Sequence, residues 1–204
     1  MATDEKVKAV RRPRADAERN RAHLLGTAKA VFAEKGSGAS LDEIARAAGV
    51  GIGTLYRHFP TRDALVEAVY RNETRQLAEA AAQCADTHPP VEALRAWMRL
   101  FIHYMATKEV MAEVLNSLVG GTSALYATAG EQVGAALSGL LDRAEAAGEI
   151  RLDIDPLDLL RAIAGVASIN PNADWEEGAK RLVDILIAGM RISRAAPEDE
   201  LRCR

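Results

Sequence analysis

The chain has 204 residues, of which 49% are hydrophobic and only 4% aromatic, so its core is expected to be rich in Ala and Leu rather than in rings. No apolar run approaches the roughly 18 residues of a membrane span, and the first residues are charged. We therefore expect a cytoplasmic protein without a membrane partner. Cys84 and Cys203 are far apart in sequence, which favours a reduced compartment over a structural disulfide.

The net charge of −3 hides an uneven distribution. Residues 1–62 hold 12 Lys and Arg against 7 Asp and Glu, whereas the remainder holds 14 against 22. A basic N-terminal part joined to an acidic body is the layout of a DNA reader attached to a second function. Chance clustering of charges also produces a difference of this size.

The chain begins with a basic stretch, residues 1–16, that contains five Lys and Arg and no apolar periodicity. It predicts a flexible arm, which could follow a DNA backbone or be only a solvated tail. A first helix is predicted from about Asp16 to Lys35. Its apolar stripe consists of Leu24, Leu25, Ala28, Val31 and Phe32.

Two short helices joined by a tight turn are predicted over residues 40–62. Ser40 and Glu43 form a capping-box pattern at the start of one helix. Gly49 stands where that helix must stop in a left-handed conformation. The second helix, about Gly51–Phe59, has an apolar back and a front of small, hydroxyl and basic residues. Such a helix is suited to the major groove of DNA.

The run DEIARAAGVGIGTLYRHF, preceded by AKAVFAEKG and followed by PTRDALVEAV, resembles the DNA-binding domain of the tetracycline-repressor (TetR) family of bacterial transcription regulators. The resemblance covers about residues 20–70, and the rest of the chain is similar only in size and helical character. It implies a homodimer on a palindromic double-stranded operator, usually a repressor released by a small-molecule effector. Two residues depart from the family: Gly51 replaces a common Ser, and Arg62 replaces a Lys.

The predicted DNA contacts divide by chemistry. Thr54 and Arg57 are candidates for reading base edges, because Arg can bond guanine in bidentate fashion. Gly53 would let the backbone approach DNA, and the resemblance implies phosphate contacts for Tyr56 and His58. Ser40 could also be only a cap, and Tyr56 a half-buried core residue. The full set is Ser40, Gly51, Gly53, Thr54, Tyr56, Arg57, His58 and Arg62.

An all-α fold of about nine helices is predicted: a three-helix helix-turn-helix DNA-binding domain, residues 17–70, then a helical ligand-binding and dimerisation domain, residues 71–204. The fourth helix, capped by Thr61 and reaching about Ala85, would link the two. Further helices are predicted over about 91–107, 109–118 and 123–147, then from Pro156 behind an Asp155 cap, and from an Asp174–Glu177 capping box to about Arg194.

The last two helices are apolar on more than one side, so each needs two partners. One partner could be a second subunit, or both helices could be central in a monomer; the TetR resemblance favours the dimer. The predicted interface consists of Leu159, Ile163, Val166, Ala167, Leu182, Ile185, Leu186 and Met190.

A pocket for the effector is expected inside the helical body, since bundle interiors commonly hold ligands. Its candidate residues, each of which could equally be plain core, are Trp97, Phe101, His103, Tyr104, Met105, Met111, Asn116 and Tyr126.

Other classes of site find no support in the sequence. The four histidines are scattered, no ligand spacing predicts a metal, and no catalytic residues or cofactor are predicted. The Gly49-x-Gly51-x-Gly53 run follows a helix rather than a strand, which excludes a dinucleotide loop. The alternative function is a ligand-binding or scaffolding protein that keeps the helix-turn-helix only as a packing unit.

Overall fold

The computed structural model describes residues 13–169 and 174–191, without the side chains of 13–16 and 167–169. Over this range the predicted all-α fold is confirmed. A 3₁₀ turn, η1, covers Gly36–Gly38. Nine α-helices are described, namely α1 Pro13–Lys35, α2 Leu41–Ala47, α3 Ile52–His58, α4 Arg62–Thr87, α5 Pro90–Val110, α6 Ala112–Asn116, α7 Ser123–Ala146, α8 Pro156–Ile169 and α9 Trp175–Met190.

The local signals in the sequence place most helix ends correctly. The Ser40 hydroxyl accepts from the Glu43 amide at 3.2 Å, and the Glu43 carboxylate accepts from the Ser40 amide at 3.1 Å, which completes the capping box. Thr61 Oγ1 and Asp155 Oδ1 accept from the first turns of α4 and α8. Gly49 adopts a φ of 66°, the left-handed turn expected after α2.

Several element ends differ from the prediction, and one of them is the boundary between α5 and α6, which lies at Val110–Ala112 rather than at about 107–109. The first helix starts at Pro13, so the last residues of the predicted arm are helical, and proline is tolerated in a first turn where its missing N–H has no partner. The capping box predicted for α9 is wrong, because the Asp174 side chain makes no capping hydrogen bond. That helix ends at Met190, after which Arg191 is extended and pairs with Ile150 in an isolated antiparallel bridge.

The chain forms two compact units rather than one domain after another. Of the described residues, unit 1 comprises those up to Asn72 together with Val110–Thr122, and unit 2 comprises Glu73–Glu109 together with those from Ser123 onward. The sequence had suggested a division at residue 70 with all later helices in the body. The structure instead groups α6 with the N-terminal helices.

Unit 1 has a core that holds the two short helices α2 and α3 from behind. Leu24, Phe32, Ile44, Leu55 and Leu65, from four helices, are each no more than 1% exposed. Helix α6 adds buried apolar side chains of its own, Val114 and Leu115. Since α2 and α3 have only seven residues each, tertiary packing rather than helix propensity stabilises them.

Unit 2 is built around α5, whose Trp97 is fully buried and donates its indole N–H to the Leu77 carbonyl at 2.8 Å. The aromatic rings of Phe101 and Tyr104 continue along the same helix. Cys84 is buried and free, and burial raises the pKa of its thiol. Cys203 lies outside the described residues, so the predicted absence of a disulfide stays a prediction.

Candidate nucleic-acid interface

Helix α3 separates a buried back from an exposed front. Leu55 is fully buried and Phe59 is 2% exposed, which fixes the helix on unit 1. On the front, Tyr56 is 48% exposed, and Arg57 and His58 are exposed as well. Tyr56 therefore lies at the surface rather than in the core, and its phosphate contact stays a prediction. The front offers a phenol, a guanidinium and an imidazole to a ligand outside the protein.

The two candidates for base reading lie in direct contact. Arg57 donates from Nε to the Gly53 carbonyl at 3.2 Å and from a terminal nitrogen to Thr54 Oγ1 at 3.1 Å. The guanidinium is thereby held along the first turn of α3, and side-chain freedom that would be lost on binding is already restricted. An Arg held in this way presents its remaining N–H groups in a defined direction, as bidentate contact with guanine requires.

The two glycines at the start of α3 are not required by the fold. Gly51 is the N-cap and contributes no side-chain hydrogen bond, and its carbonyl accepts from the Thr54 amide at 2.8 Å. A methyl group added at Gly51 or Gly53 would meet no atom within 4 Å. The space above Gly53 is open to solvent, so a DNA backbone can approach it closely.

Ser40 is occupied as a cap, as the first of its two predicted roles requires. Its partner Glu43 also accepts from Lys35 Nζ at 2.6 Å. The Lys35 hydrogen bond, followed by those from Ser40, lowers the pKa of Glu43 to about 2. Ser40 is exposed, which leaves the second lone pair of its hydroxyl oxygen accessible.

Arg62 is engaged inside unit 1. Its guanidinium donates to the Ser37 carbonyl at 3.0 Å and to Ser117 Oγ at 3.3 Å, and its carbon lies 5.3 Å from the centroid of the Phe32 ring. The structure thus gives Arg62 a role that the sequence did not suggest, because it ties η1 and α6 to the start of α4. A phosphate contact by Arg62 would have to compete with these bonds.

Two further contacts attach α6 to the N-terminal helices. Ser37 donates its hydroxyl to Glu113, and Asp63 accepts from the Val119 amide at 3.0 Å. Gly36 has a φ of 55°, and a side chain there would collide with the Glu113 carboxylate at 2.5 Å. We call these bonds, with those of Arg62, the α6 attachment. No sequence signal pointed to it, since the residues that its bonds join are 25 to 76 positions apart.

Two models of known protein families match this chain, one over the N-terminal helices and one over most of the later helices. Residues 24–69 match the model "Bacterial regulatory proteins, tetR family", and residues 89–192 match "Transcriptional regulator SbtR-like, C-terminal domain". The crystal structure of the TetR transcriptional regulator SCO0520 from Streptomyces coelicolor is 44% identical, with 85% of this chain and 99% of that chain aligned at a TM-score of 0.76. The chain belongs to the TetR family.

Other members of the TetR family show how far the similarity extends. A TetR regulator from Mycobacterium vanbaalenii is 35% identical over 88% of this chain and 99% of its own, with a TM-score of 0.69. The transcriptional repressor LfrR from Mycolicibacterium smegmatis is 42% identical over 77 residues. That match spans 37% of this chain and 40% of the repressor, so the chain aligns with well under half the length of the curated relatives it matches.

The predicted effector contacts of this TetR-family chain do not lie together in one unit. Met111, which is buried, and Asn116, which is exposed, belong to unit 1, and the other six residues belong to unit 2. Trp97 and Phe101 are buried, and His103 is exposed. The Tyr104 hydroxyl lies 3.3 Å from Thr74 Oγ1, and that pair is buried. Met105 and Tyr126 are only half-buried.

A lysine side chain in unit 2 lies beside Tyr126, one of the predicted effector contacts. Lys108 Nζ is 4.2 Å from the centroid of the Tyr126 ring, and partial burial lowers its pKa. A separate open groove of about 370 Å³ runs between α7 and α8, where Gly134 and Leu157 are among the lining residues. None of the predicted effector contacts lines this groove.

The predicted dimer contacts of α8 and α9 fall into two sets. Leu159 and Ile163 are at most 1% exposed and Met190 is 8% exposed, so they pack inside the single chain and are not available to a partner. Val166, Leu182 and Leu186 are partly exposed and Ile185 is 66% exposed. The side chain of Ala167 lies outside the described residues. The opposite side of α9 is occupied within the chain, where Asp184 pairs with Arg95 and Arg99.

The part of the chain that the structure describes has neither a membrane-spanning helix nor a cluster of metal-binding side chains. No helix there is long and apolar enough to cross a membrane. No group of three or more His, Cys, Asp and Glu side chains there could hold a metal ion.

Proposed function

We propose that this protein is a sequence-specific repressor that binds DNA as a homodimer and leaves its operator when a small molecule binds unit 2. The observation that carries the proposal is the front of α3. Its exposed Tyr56, Arg57 and His58 are mounted on a buried back, and Arg57 is already oriented by Thr54. The family membership of the chain supports the same assignment. The protein would act in the cytoplasm, where the chromosome is accessible.

Dimerisation would supply the second reading helix. One α3 of seven residues reaches only a few base pairs, so a long site requires two copies that are about one helical turn or more apart on a palindrome. The partly exposed apolar residues of α8 and α9 are the proposed interface, namely Val166, Leu182, Ile185 and Leu186. Ile185 carries the most weight, because a large aliphatic side chain on the surface gains the most from being covered.

The effector would act on unit 2, and its effect would reach the reading helices through α4 and α6. Helix α4 contributes residues to both units, and the α6 attachment bonds Val110–Thr122 to the N-terminal helices of unit 1. We retain Phe101, Tyr104, Met105 and Tyr126 as effector contacts, since they lie on α5 and α7 within unit 2. An effector that prefers one arrangement of these helices would shift the equilibrium between binding and released states.

The test compares the full-length protein on DNA from upstream of its own gene and on an unrelated duplex of equal length. Fluorescence anisotropy at several KCl concentrations gives both affinities and both salt slopes. We expect tighter binding to the upstream DNA and a steep salt dependence on either duplex. Equal affinity for the two duplexes would contradict the proposal. A flat salt dependence favours the scaffolding alternative, in which the helix-turn-helix only packs.

The same measurement, repeated with a library of small apolar and acidic compounds, tests the effector step. A true effector lowers the affinity for the upstream duplex and leaves the affinity for the unrelated duplex almost unchanged. A compound that weakens both equally acts on the general electrostatics of binding and does not support regulated release.

A further inference from the structure

Arg21 occupies a position on α1 that the helix period assigns to the packed side. Leu24, Leu25 and Ala28 follow it at steps of three, four and seven residues, and all three are buried. Arg21 therefore extends the apolar stripe by one turn toward the N-terminus, yet it carries a charge and is itself exposed. A charged residue at such a position requires a specific explanation.

The place that Arg21 reaches is the end of the reading helix. Its guanidinium carbon lies 5.4 Å from the centroid of the Phe59 ring, and Phe59 is the C-cap of α3. The ring of His58 lies 6.1 Å from the same Phe59 ring. One buried aromatic side chain is thus flanked by a guanidinium from α1 and by an imidazole from α3, although 38 residues separate Arg21 from Phe59 in the sequence.

The surroundings leave this guanidinium available to an anion. Among the described residues, no carboxylate lies within ion-pair distance of Arg21, whereas Lys35 on the same helix is paired with Glu43. Contact with the face of a phenyl ring leaves the N–H groups at the edge of the guanidinium accessible to an acceptor. A purely structural explanation, in which the alkyl stem of Arg21 covers Phe59, accounts for the position but not for the charge.

We propose that Arg21 joins His58, whose phosphate contact was already expected, around Phe59 in one phosphate-binding subsite for the DNA backbone; this inference rests on the proposed DNA-binding function. The subsite would hold one strand at the C-terminal end of α3 while Thr54 and Arg57 read bases at its start. Arg is suited to this role because its planar fork matches two phosphate oxygens. The contact would fix the depth and angle of the reading helix and would be independent of the DNA sequence.

The test uses Arg21→Met in the full-length protein, because the Met side chain keeps an apolar stem over Phe59 and removes the charge. Anisotropy is measured on the upstream and the unrelated duplex over a range of KCl concentrations. We expect both affinities to fall by about the same factor and the salt slope to fall by about one per reading helix. Arg21→Lys should restore the slope. Arg75→Met, the same change on α4 in unit 2, should leave it unchanged.

An unchanged salt slope in Arg21→Met overturns the proposal and assigns Arg21 the structural role. A loss confined to the upstream duplex also overturns it, since that result would make Arg21 a base reader. Thermal unfolding of each variant shows whether unit 1 remains folded. The salt slope on unrelated DNA tests the subsite, whereas the difference in affinity between the two duplexes tests the proposed repressor function. Either proposal can therefore fail while the other holds.

Discussion

At Gly53, a larger side chain is expected to favour folding and to oppose DNA binding. An alanine there would meet no atom within 4 Å and would restrict the unfolded chain. We expect Gly53→Ala to raise the free energy of unfolding by about 0.5 kcal/mol, measured by urea denaturation. We also expect weaker binding to the upstream duplex, because the new methyl group would face the DNA in the proposed complex. Gly139→Ala, also in open space but on α7, should stabilise without affecting DNA binding.

Tyr56 and Arg57 are neighbours with different predicted roles. Arg57→Ala should reduce discrimination between the upstream and the unrelated duplex, because it removes the proposed base-reading group, which Thr54 holds in place. A bidentate base contact is worth about 1 to 3 kcal/mol of discrimination. Tyr56→Phe removes one hydroxyl and should weaken binding to both duplexes alike. Equal loss of discrimination in the two variants would contradict this division of roles.

The hydrogen bonds that Glu43 accepts make the stability of unit 1 depend on pH. Its pKa falls from 4.5 to about 2 in the folded chain, because Lys35 and Ser40 bond the carboxylate. The stabilisation is therefore complete above about pH 4.5 and is lost as the pH falls through the folded value near 2. Glu43→Gln should have a lower urea midpoint than the parent at pH 7, and the difference should vanish toward pH 2. Glu149→Gln serves as the control, because this partly exposed carboxylate has no ion pair among the described residues.

At the scale of the element, the α6 attachment predicts that one side chain of α4 protects backbone amides of residues 112–119 from hydrogen exchange. Asp63→Ala removes the acceptor of the Val119 amide. A hydrogen bond to a partly exposed carboxylate is worth about 1 kcal/mol, so amide exchange over residues 112–119 should become about fivefold faster. Hydrogen exchange followed by mass spectrometry measures this directly. Glu79→Ala, on α4 within unit 2, should leave that segment unchanged.

The elements that could be predicted from the sequence are those with local causes. Ser40, Thr61, Asp155 and Gly49 each act on the backbone within four residues, so a short pattern contains the whole interaction. Helix α6 could not be assigned to its unit in this way. Its position depends on bonds such as Ser37 to Glu113, and neither residue carries a pattern that identifies the other.

The candidate site also contains residues whose place could be predicted from local sequence and residues whose place depends on distant partners. The residues on the front of α3 were predicted from helix periodicity, which specifies which side chains point away from a packed back. Arg62 was expected at DNA, and the structure engages it with Ser117, a partner 55 residues away. Leu159 and Leu182 look alike in the sequence, yet only the first is fully buried, since burial depends on which neighbouring helix covers each face.

For the whole molecule, the central prediction is that the protein is a dimer and that one surface residue controls it. Ile185→Glu places a charge in the proposed interface, where 66% of the side chain is exposed in the single chain. We expect the variant to be a folded monomer by analytical ultracentrifugation and to lose most affinity for the upstream duplex. Val119→Glu changes a 91% exposed residue of unit 1 and should stay dimeric. A parent protein that is monomeric at micromolar concentration would contradict the interface.

The path of the chain also matters to anyone who wishes to recombine regulators of this type. The polypeptide passes from unit 1 into unit 2 within α4, returns to unit 1 at Val110–Thr122 and leaves again. A chimera joined after α4 would therefore combine the reading helices of one parent with the α6 of the other. Ser37, Arg62 and Asp63 would then face unmatched partners, so a transplanted sensor module works only if the donor supplies residues equivalent to Glu113 and Ser117.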